Sequence, residues 1–140
     1  MNLVLEKATV NDSDYLACLN KMLIDDGGSI NSMNIDELKT RMKQFLLSTY
    51  LAYFFVVDGI RIGYALINIE RHPFFIRHFY VIKEYRRKGY GTEAFKQITK
   101  VLKMTDIDLK VLVQNEIGYK FWISCGLIPY DVTMHYRENR

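Results

Sequence analysis

The chain is poor in cysteine, proline and histidine, with two, two and three of them in 140 residues. Cys18 and Cys125 are far apart, and neither they nor the scattered histidines show the ligand spacing of a metal site, so no metal is expected. Polar and charged residues follow Met1 within a few positions, where a secretory leader would be apolar. The expected setting is therefore a reducing cytoplasm, with both thiols as small core residues. No apolar run approaches the ~20 residues of a membrane span. There is no repeat, linker or low-complexity stretch. The net charge of +3 is modest. It argues against a general nucleic-acid surface and leaves room for a local anion site.

What is present is ordinary globular usage, 49% hydrophobic and 25% charged, which excludes disorder. A chain of this length fits one domain, residues 1–140, and buries most of its apolar surface without staples. Eighteen Tyr and Phe residues besides Trp122 predict a core rich in rings.

Residues 2–8 alternate as a first strand. Asn11 to Asp14 supply N-caps for a helix carrying Leu16, Leu19, Met22 and Leu23 on one side. The helix ends in Asp25-Asp26-Gly27-Gly28-Ser29, an acidic loop suited to attracting a cationic substrate or equally to being a solvated helix end. Asn34 with Glu37 has the spacing of a capping box, opening a second helix with Leu38, Met42, Phe45 and Leu46 inward. Two β-rich runs, 51–57 and 61–69, flank Asp58-Gly59, a hairpin signal. Gly63 within the second run predicts a bulge or a close approach. Phe74 to Ile82 is apolar throughout and reads as a central strand. A helix at 92–103 and a strand at 107–113 complete a βαβ unit, whose two strands should be parallel. Asn115 caps a short helix that stops near Gly126, and 127–136 reads as a last strand interrupted by Pro129.

The stretch between strand and helix, Tyr85-Arg86-Arg87-Lys88-Gly89-Tyr90-Gly91-Thr92, concentrates the chemistry. The first turn of a helix leaves backbone N–H groups unpaired at the positive end of the helix dipole, glycines admit an anion close to them, and three cations add to the field. A basic turn using glycine only for its backbone freedom has the same composition.

The order β-α-α-β-β-β-α-β-α-β with this turn after the fourth strand resembles the GNAT superfamily of acyl-CoA-dependent N-acetyltransferases. Arg86-Arg87-Lys88-Gly89-Tyr90-Gly91 matches the family's signature of Arg or Gln, two residues, Gly, one residue, then Gly or Ala. A second block, Asn115, Phe121-Trp122 and Gly126-Leu127, is similar to the family's downstream Asn, aromatic pair and Gly-Phe. The resemblance implies an α/β (α+β) fold with a mixed, mostly antiparallel sheet of six to seven strands flanked by helices. It implies acetyl-CoA as cosubstrate, with the pyrophosphate on backbone amides from Arg87 to Thr92 and Arg86 to Lys88 adding charge. The pantetheine arm would lie on the backbone of Phe79, Tyr80 and Val81 where the fourth and fifth strands splay apart. Val81 N–H would be the oxyanion donor, and Asn115 would contact the coenzyme arm or merely cap its helix. The acceptor implied is a primary amine of a small molecule or peptide, attacking directly in a ternary complex. A homodimer is compatible with this reading, and a coenzyme-binding module without turnover is its alternative.

Acetylation needs a neutral amine, and losing a proton from a pKa near 10.4 costs about 4.6 kcal/mol at pH 7. His78, on the central strand and on the same face as Tyr80, is the candidate base, with a water chain as the other route and Glu70 and His72 as weaker candidates. Relatives often have a carboxylate near His78 and a tyrosine where Trp122 stands. Trp122 has no acidic proton to give the thiolate, so Tyr119, three residues earlier, is the substitute, with water the other proton source.

Overall fold

The computed structural model describes residues 2–28 and 30–138. Five strands and four α-helices follow in the order β1 (Leu3–Lys7), α1 (Ser13–Gly27), α2 (Ile35–Leu46), β2 (Tyr50–Val57), β3 (Ile60–Asn68), β4 (Phe74–Val81), α3 (Tyr90–Val101), β5 (Ile107–Leu109) and α4 (Glu116–Ser124). The strands form one sheet in sequence order, antiparallel except where β4 meets β5 in parallel. The expected βαβ unit is present, and β4 lies between β3 and β5.

Local chemistry sets the element ends. Asn34 Oδ1 accepts from Glu37 N–H while the Glu37 carboxylate accepts from Asn34 N–H, both at 2.9 Å, so the capping box is formed. Gly28 closes α1 in the left-handed region, φ 66°. Asp58 and Gly59 both take positive φ between β2 and β3, the geometry of a tight hairpin. Opposite Gly63 the ladder skips a residue, pairing Phe55 with Gly63 and Val56 with Arg61. A Cβ on Gly63 would collide with the Tyr80 carbonyl oxygen and touch the Phe55 ring. The glycine thus both bulges β3 and lets β4 approach.

The sheet buries both faces. One face packs Leu3, Phe55, Ile62, Ile67 and Ile76 with Phe95 and Ile98 of α3 and with Trp122 of α4. The other packs Phe54, Tyr64, Leu66 and Tyr80 with Leu16 and Leu19 of α1 and Met42 of α2. Side-chain alternation along β4 therefore sends His78 and Tyr80 toward α1 and α2, and Phe79 toward α4.

Several expectations are corrected. The sheet has five strands among the described residues, where six to seven were expected, because 127–137 forms no ladder. The fifth strand is three residues long, since it pairs with β4 only at Phe74, Phe75 and Ile76. Cys18 is exposed and Cys125 half-buried, so neither is a core thiol. Met22 is also exposed, 39%, because it lies beyond the stripe of α1 that meets the sheet. Asp25, Asp26 and Gly27, expected in a loop, belong to the last turn of α1, and Ser29 lies outside the described residues.

Candidate functional site

The short β5 determines the site. Ile82 N–H donates to Ile62 O at 2.7 Å, so at this end of β4 the even residues direct their backbone groups to β3. Phe79 and Val81 then direct theirs to the other edge, which β5 leaves after Ile76. The result is a main-chain edge without a ladder partner among the described residues, its Val81 carbonyl taken by Arg86. The ladder between the fourth and fifth strands ends short of the residues where a splay was expected.

Beyond that edge the chain passes from β4 through a 3-10 turn, Lys83–Tyr85, into the basic turn. Arg87 and Gly89 take φ of 63° and 84°, two left-handed residues flanking Lys88. Such alternation turns successive N–H groups inward and makes an anion-binding concavity. Gly89 is the N-cap of α3, which starts at Tyr90, two residues before the predicted start. The first bond of the helix is Glu93 N–H to Gly89 O, 3.1 Å. From Arg87 to Thr92, six consecutive backbone N–H groups thus have no partner among the described residues. Gly91 lies against other parts of the site: a Cβ there would stand 3.1 Å from the Phe121 ring and 3.8 Å from Val81 Cγ2.

The three cations divide their work. Arg86 turns back from the turn, its Nε donating to Val81 O at 2.8 Å and its Nη2 to Asp26 Oδ2 at 2.9 Å. The same Asp26 oxygen accepts from the Tyr80 hydroxyl at 2.7 Å. The Tyr80 hydroxyl and then the Arg86 guanidinium hold the Asp26 carboxyl below its usual range against some desolvation. Burial, and next the Asp26 bond, push Tyr80 up to about 12. Arg87 and Lys88 are exposed, with Lys88 Nζ 5.8 Å from the Tyr85 ring centre. The sequence singled out Asp25 and Asp26, which lie in the last turn of α1, but not these partners. Asp25 itself is bound to Lys21 at 2.8 Å.

His78 is 8% exposed, and its Nδ1 lies 3.0 Å from the Tyr64 hydroxyl. Phe45 packs edge-on against the ring at 6.2 Å. Burial, followed by the charges of Arg41 and Arg77, pushes it down to about 3. It is neutral at pH 7, and taking a proton from an amine of pKa near 10.4 would cost on the order of 10 kcal/mol. Position on the face of Tyr80 agrees with expectation; basicity does not. Tyr64 and Arg41, which create this environment, were not legible as site residues. Arg41 Nη2 donates to buried Asn20 Oδ1 at 2.9 Å, extending the polar layer into α1.

Trp122 is a packing residue. Its ring centre lies 5.0 Å from that of Phe79, 5.3 Å from Phe95 and 4.8 Å from Phe121, all nearly perpendicular. Tyr119, one turn earlier, is 44% exposed and free to face solvent. Asn115 Oδ1 accepts from Gly118 N–H at 3.0 Å, so its capping role is observed directly. Glu70 and His72 lie in the exposed turn before β4, away from the open edge. Among the described residues no group of three His, Cys, Asp or Glu is placed to hold a metal, and no helix is long and apolar enough to cross a membrane.

Solved structures of acetyltransferases share this fold. A possible acetyltransferase from Clostridium difficile 630 is 21% identical, with a TM-score of 0.77 over 99% of this chain and 98% of its own. The aminoglycoside N-acetyltransferase AAC(6')-Iy, in complex with CoA, is 14% identical, with a TM-score of 0.76 over 99% and 95%. The ribosomal-protein-alanine N-acetyltransferase from Brucella melitensis biovar Abortus 2308 is 14% identical, with a TM-score of 0.70 over 97% and 99%. These likenesses show the fold. No curated protein sequence matches the chain. The family described as Acetyltransferase (GNAT) family matches residues 29–127, ending with the second signature block. The chain belongs to the GNAT acetyltransferase family.

Proposed function

We propose that this acetyltransferase moves an acetyl group from acetyl-CoA to a primary amine of a small molecule or peptide, by direct attack in a ternary complex. One observation carries the reading: the unpaired N–H groups of Arg87 to Thr92 adjoin the open edge of β4 at Phe79 and Val81. The first set suits a pyrophosphate at the positive end of α3. The second suits the amide-bearing pantetheine arm, which would add to β4 as a short strand.

The thioester would then lie beside Val81, whose N–H would stabilise the oxyanion of the tetrahedral intermediate. Arg86 positions that residue through its bond to Val81 O. Because His78 is too weak a base, the amine proton leaves through water, and neutral His78 supports the polar layer beneath β4. Tyr119 is the protein group available to protonate the departing thiolate. Much of the rate enhancement then comes from holding two substrates together, a term that can reach about 7–11 kcal/mol. Asn115 supports the coenzyme arm only through its remaining amide donor.

The amine acceptor is proposed from the family and from relatives in two directions, an aminoglycoside enzyme and a ribosomal-protein enzyme. Incubation with acetyl-CoA and a panel of aminoglycosides, polyamines and peptide N-termini, following free thiol release, tests the proposal. Amine-dependent release for at least one class is expected. Saturable acetyl-CoA binding with no release for any class would overturn it.

A further inference from the structure

Away from the coenzyme turn, the layer between α2 and the sheet holds two arginines that no acid neutralises. Arg41 of α2 and Arg77 of β4 both stand over the Phe45 ring, their Cζ atoms 5.4 and 5.1 Å from its centre. Each makes one hydrogen bond among the described residues, and both acceptors are neutral: Arg41 Nη2 donates to Asn20 Oδ1 at 2.9 Å, and Arg77 Nε to the Tyr50 hydroxyl at 2.8 Å. Neither forms an ion pair among the described residues, whereas Arg61, Arg71 and Arg86 each reach a carboxylate. Glu37, one turn before Arg41, turns its carboxylate to Asn34 N–H instead.

Keeping these charges together is costly. Burial, and next the charge of Arg77, pull the Arg41 guanidinium below its usual range. Arg41 Nε is closed to solvent and has no acceptor, where an unsatisfied donor costs about 1–3 kcal/mol. The neighbouring His78, bonded to the Tyr64 hydroxyl, supplies no negative charge. The backbone also spends a feature on Arg77: β3 pairs Leu66 with His78 and Ile67 with Ile76, so Arg77 is the extra residue of a bulge. A bulge re-aims a side chain, and here it sets Arg77 beside Phe45 and Tyr50, on the α2 side of the sheet. Its exposed guanidinium is held at Nε and flanked by rings, while its two Nη groups have no partner among the described residues.

We propose that Arg41 and Arg77 form a binding site for an oxyanion, the carboxylate or phosphate group of a small molecule, between α2 and β4. A planar guanidinium held in place takes such groups through charge-assisted N–H donors, and the bound charge would offset the repulsion of the pair. The site is separate from the coenzyme turn, because Arg77 precedes Val81 by four residues, roughly 13 Å of strand. It therefore does not rest on the proposed reaction. Two sources supply such a group: an acid carried by the acceptor itself, or a free anionic effector.

Titrating inorganic phosphate into the full 15N-labelled chain and following the arginine Nε–Hε resonances tests this, with sodium chloride at matched ionic strength as control. Saturable shifts are expected at Arg41 and Arg77. Binding should weaken about tenfold in Arg77→Gln, the loss of one charge-assisted contact. Arg77 is exposed, so this variant keeps the fold, and Arg41→Gln should show the same loss. Shifts confined to the backbone amides of Arg87 to Thr92, shifts that chloride reproduces, or an affinity unchanged in both variants would overturn the proposal. An amine bearing a carboxylate that displaces the phosphate, where its amide derivative does not, assigns the oxyanion to the acceptor. Phosphate binding that neither amine disturbs assigns it to an effector, and either result supports the site.

Discussion

The Tyr64 hydroxyl and His78 Nδ1 lie 3.0 Å apart in a layer closed to solvent by Phe45. Burial in that layer, with the charges of Arg41 and Arg77, keeps this histidine of β4 neutral and makes the protein sensitive to acid. His78 sits at about 3 in the folded chain against ~6.5 when unfolded. Between those values the unfolded chain binds the extra proton. The stabilising contribution is therefore complete above pH ~6.5 and is lost as pH falls toward 3, a loss on the order of 4 kcal/mol. Urea denaturation of His78→Gln should show a much flatter pH dependence from 6.5 to 4 than the wild type. Equal slopes would contradict this account of His78.

Thr92 is the third residue of α3, where an acidic side chain favours the helix by about 0.3–1 kcal/mol. Thr92→Glu should therefore keep or raise the melting temperature while weakening acetyl-CoA binding at least tenfold, since it sets a negative charge beside the proposed pyrophosphate cradle. Calorimetry on both quantities separates the effects. Gly91→Glu is a poorer test, because a side chain there also meets Phe121.

Gly63→Ala should destabilise the fold by roughly 3 kcal/mol, in the upper range of overpacking. Its Cβ meets the Tyr80 carbonyl, which cannot rotate away as a side chain would. Thermal denaturation checks this. A loss of a few tenths of a kcal/mol would show that β3 and β4 separate easily.

Trp122→Phe should preserve most of the turnover, because the ring packs against Phe79, Phe95 and Phe121. Tyr119→Phe should lower kcat about 10²-fold if its hydroxyl protonates the thiolate. An acceptor whose thiol release is unchanged in Tyr119→Phe would assign that proton to water.

Asp26→Asn should loosen the tie between α1 and the coenzyme turn. Its carboxylate joins Tyr80 and Arg86, at 2.7 and 2.9 Å. Arg86 then orients the Val81 carbonyl less well, and kcat should fall several-fold with little change in melting temperature, since the pair is partly exposed. Unchanged kcat would show that Arg86 holds Val81 unaided.

Much of this architecture was legible because it is local. Asp58-Gly59 and the Asn34–Glu37 box depend on residues within a few positions, and the Arg86 to Gly91 motif falls between β4 and α3, at the strand-to-helix turn its position indicated. What was hidden is long-range. Asp26 meets Tyr80 and Arg86 across more than fifty positions, and no local signal announces that contact. His78 reads as a base by residue type, while its neutrality comes from burial and from the charges of Arg41 and Arg77. The alternation of 128–136 is that of a strand, but a strand exists only with a ladder partner, and none is formed there among the described residues. Cys18 read as core from composition, whereas the turn of α1 faces it to solvent.

The central claim is that acetyl-CoA is held by backbone groups of two adjoining segments. Titrating coenzyme A into 15N-labelled protein and following amide resonances tests it most directly. The account predicts saturable binding, with the largest shifts at Phe79, Val81 and Arg87 to Thr92. Binding that leaves those amides in place while shifting others, or no binding at all, would contradict it.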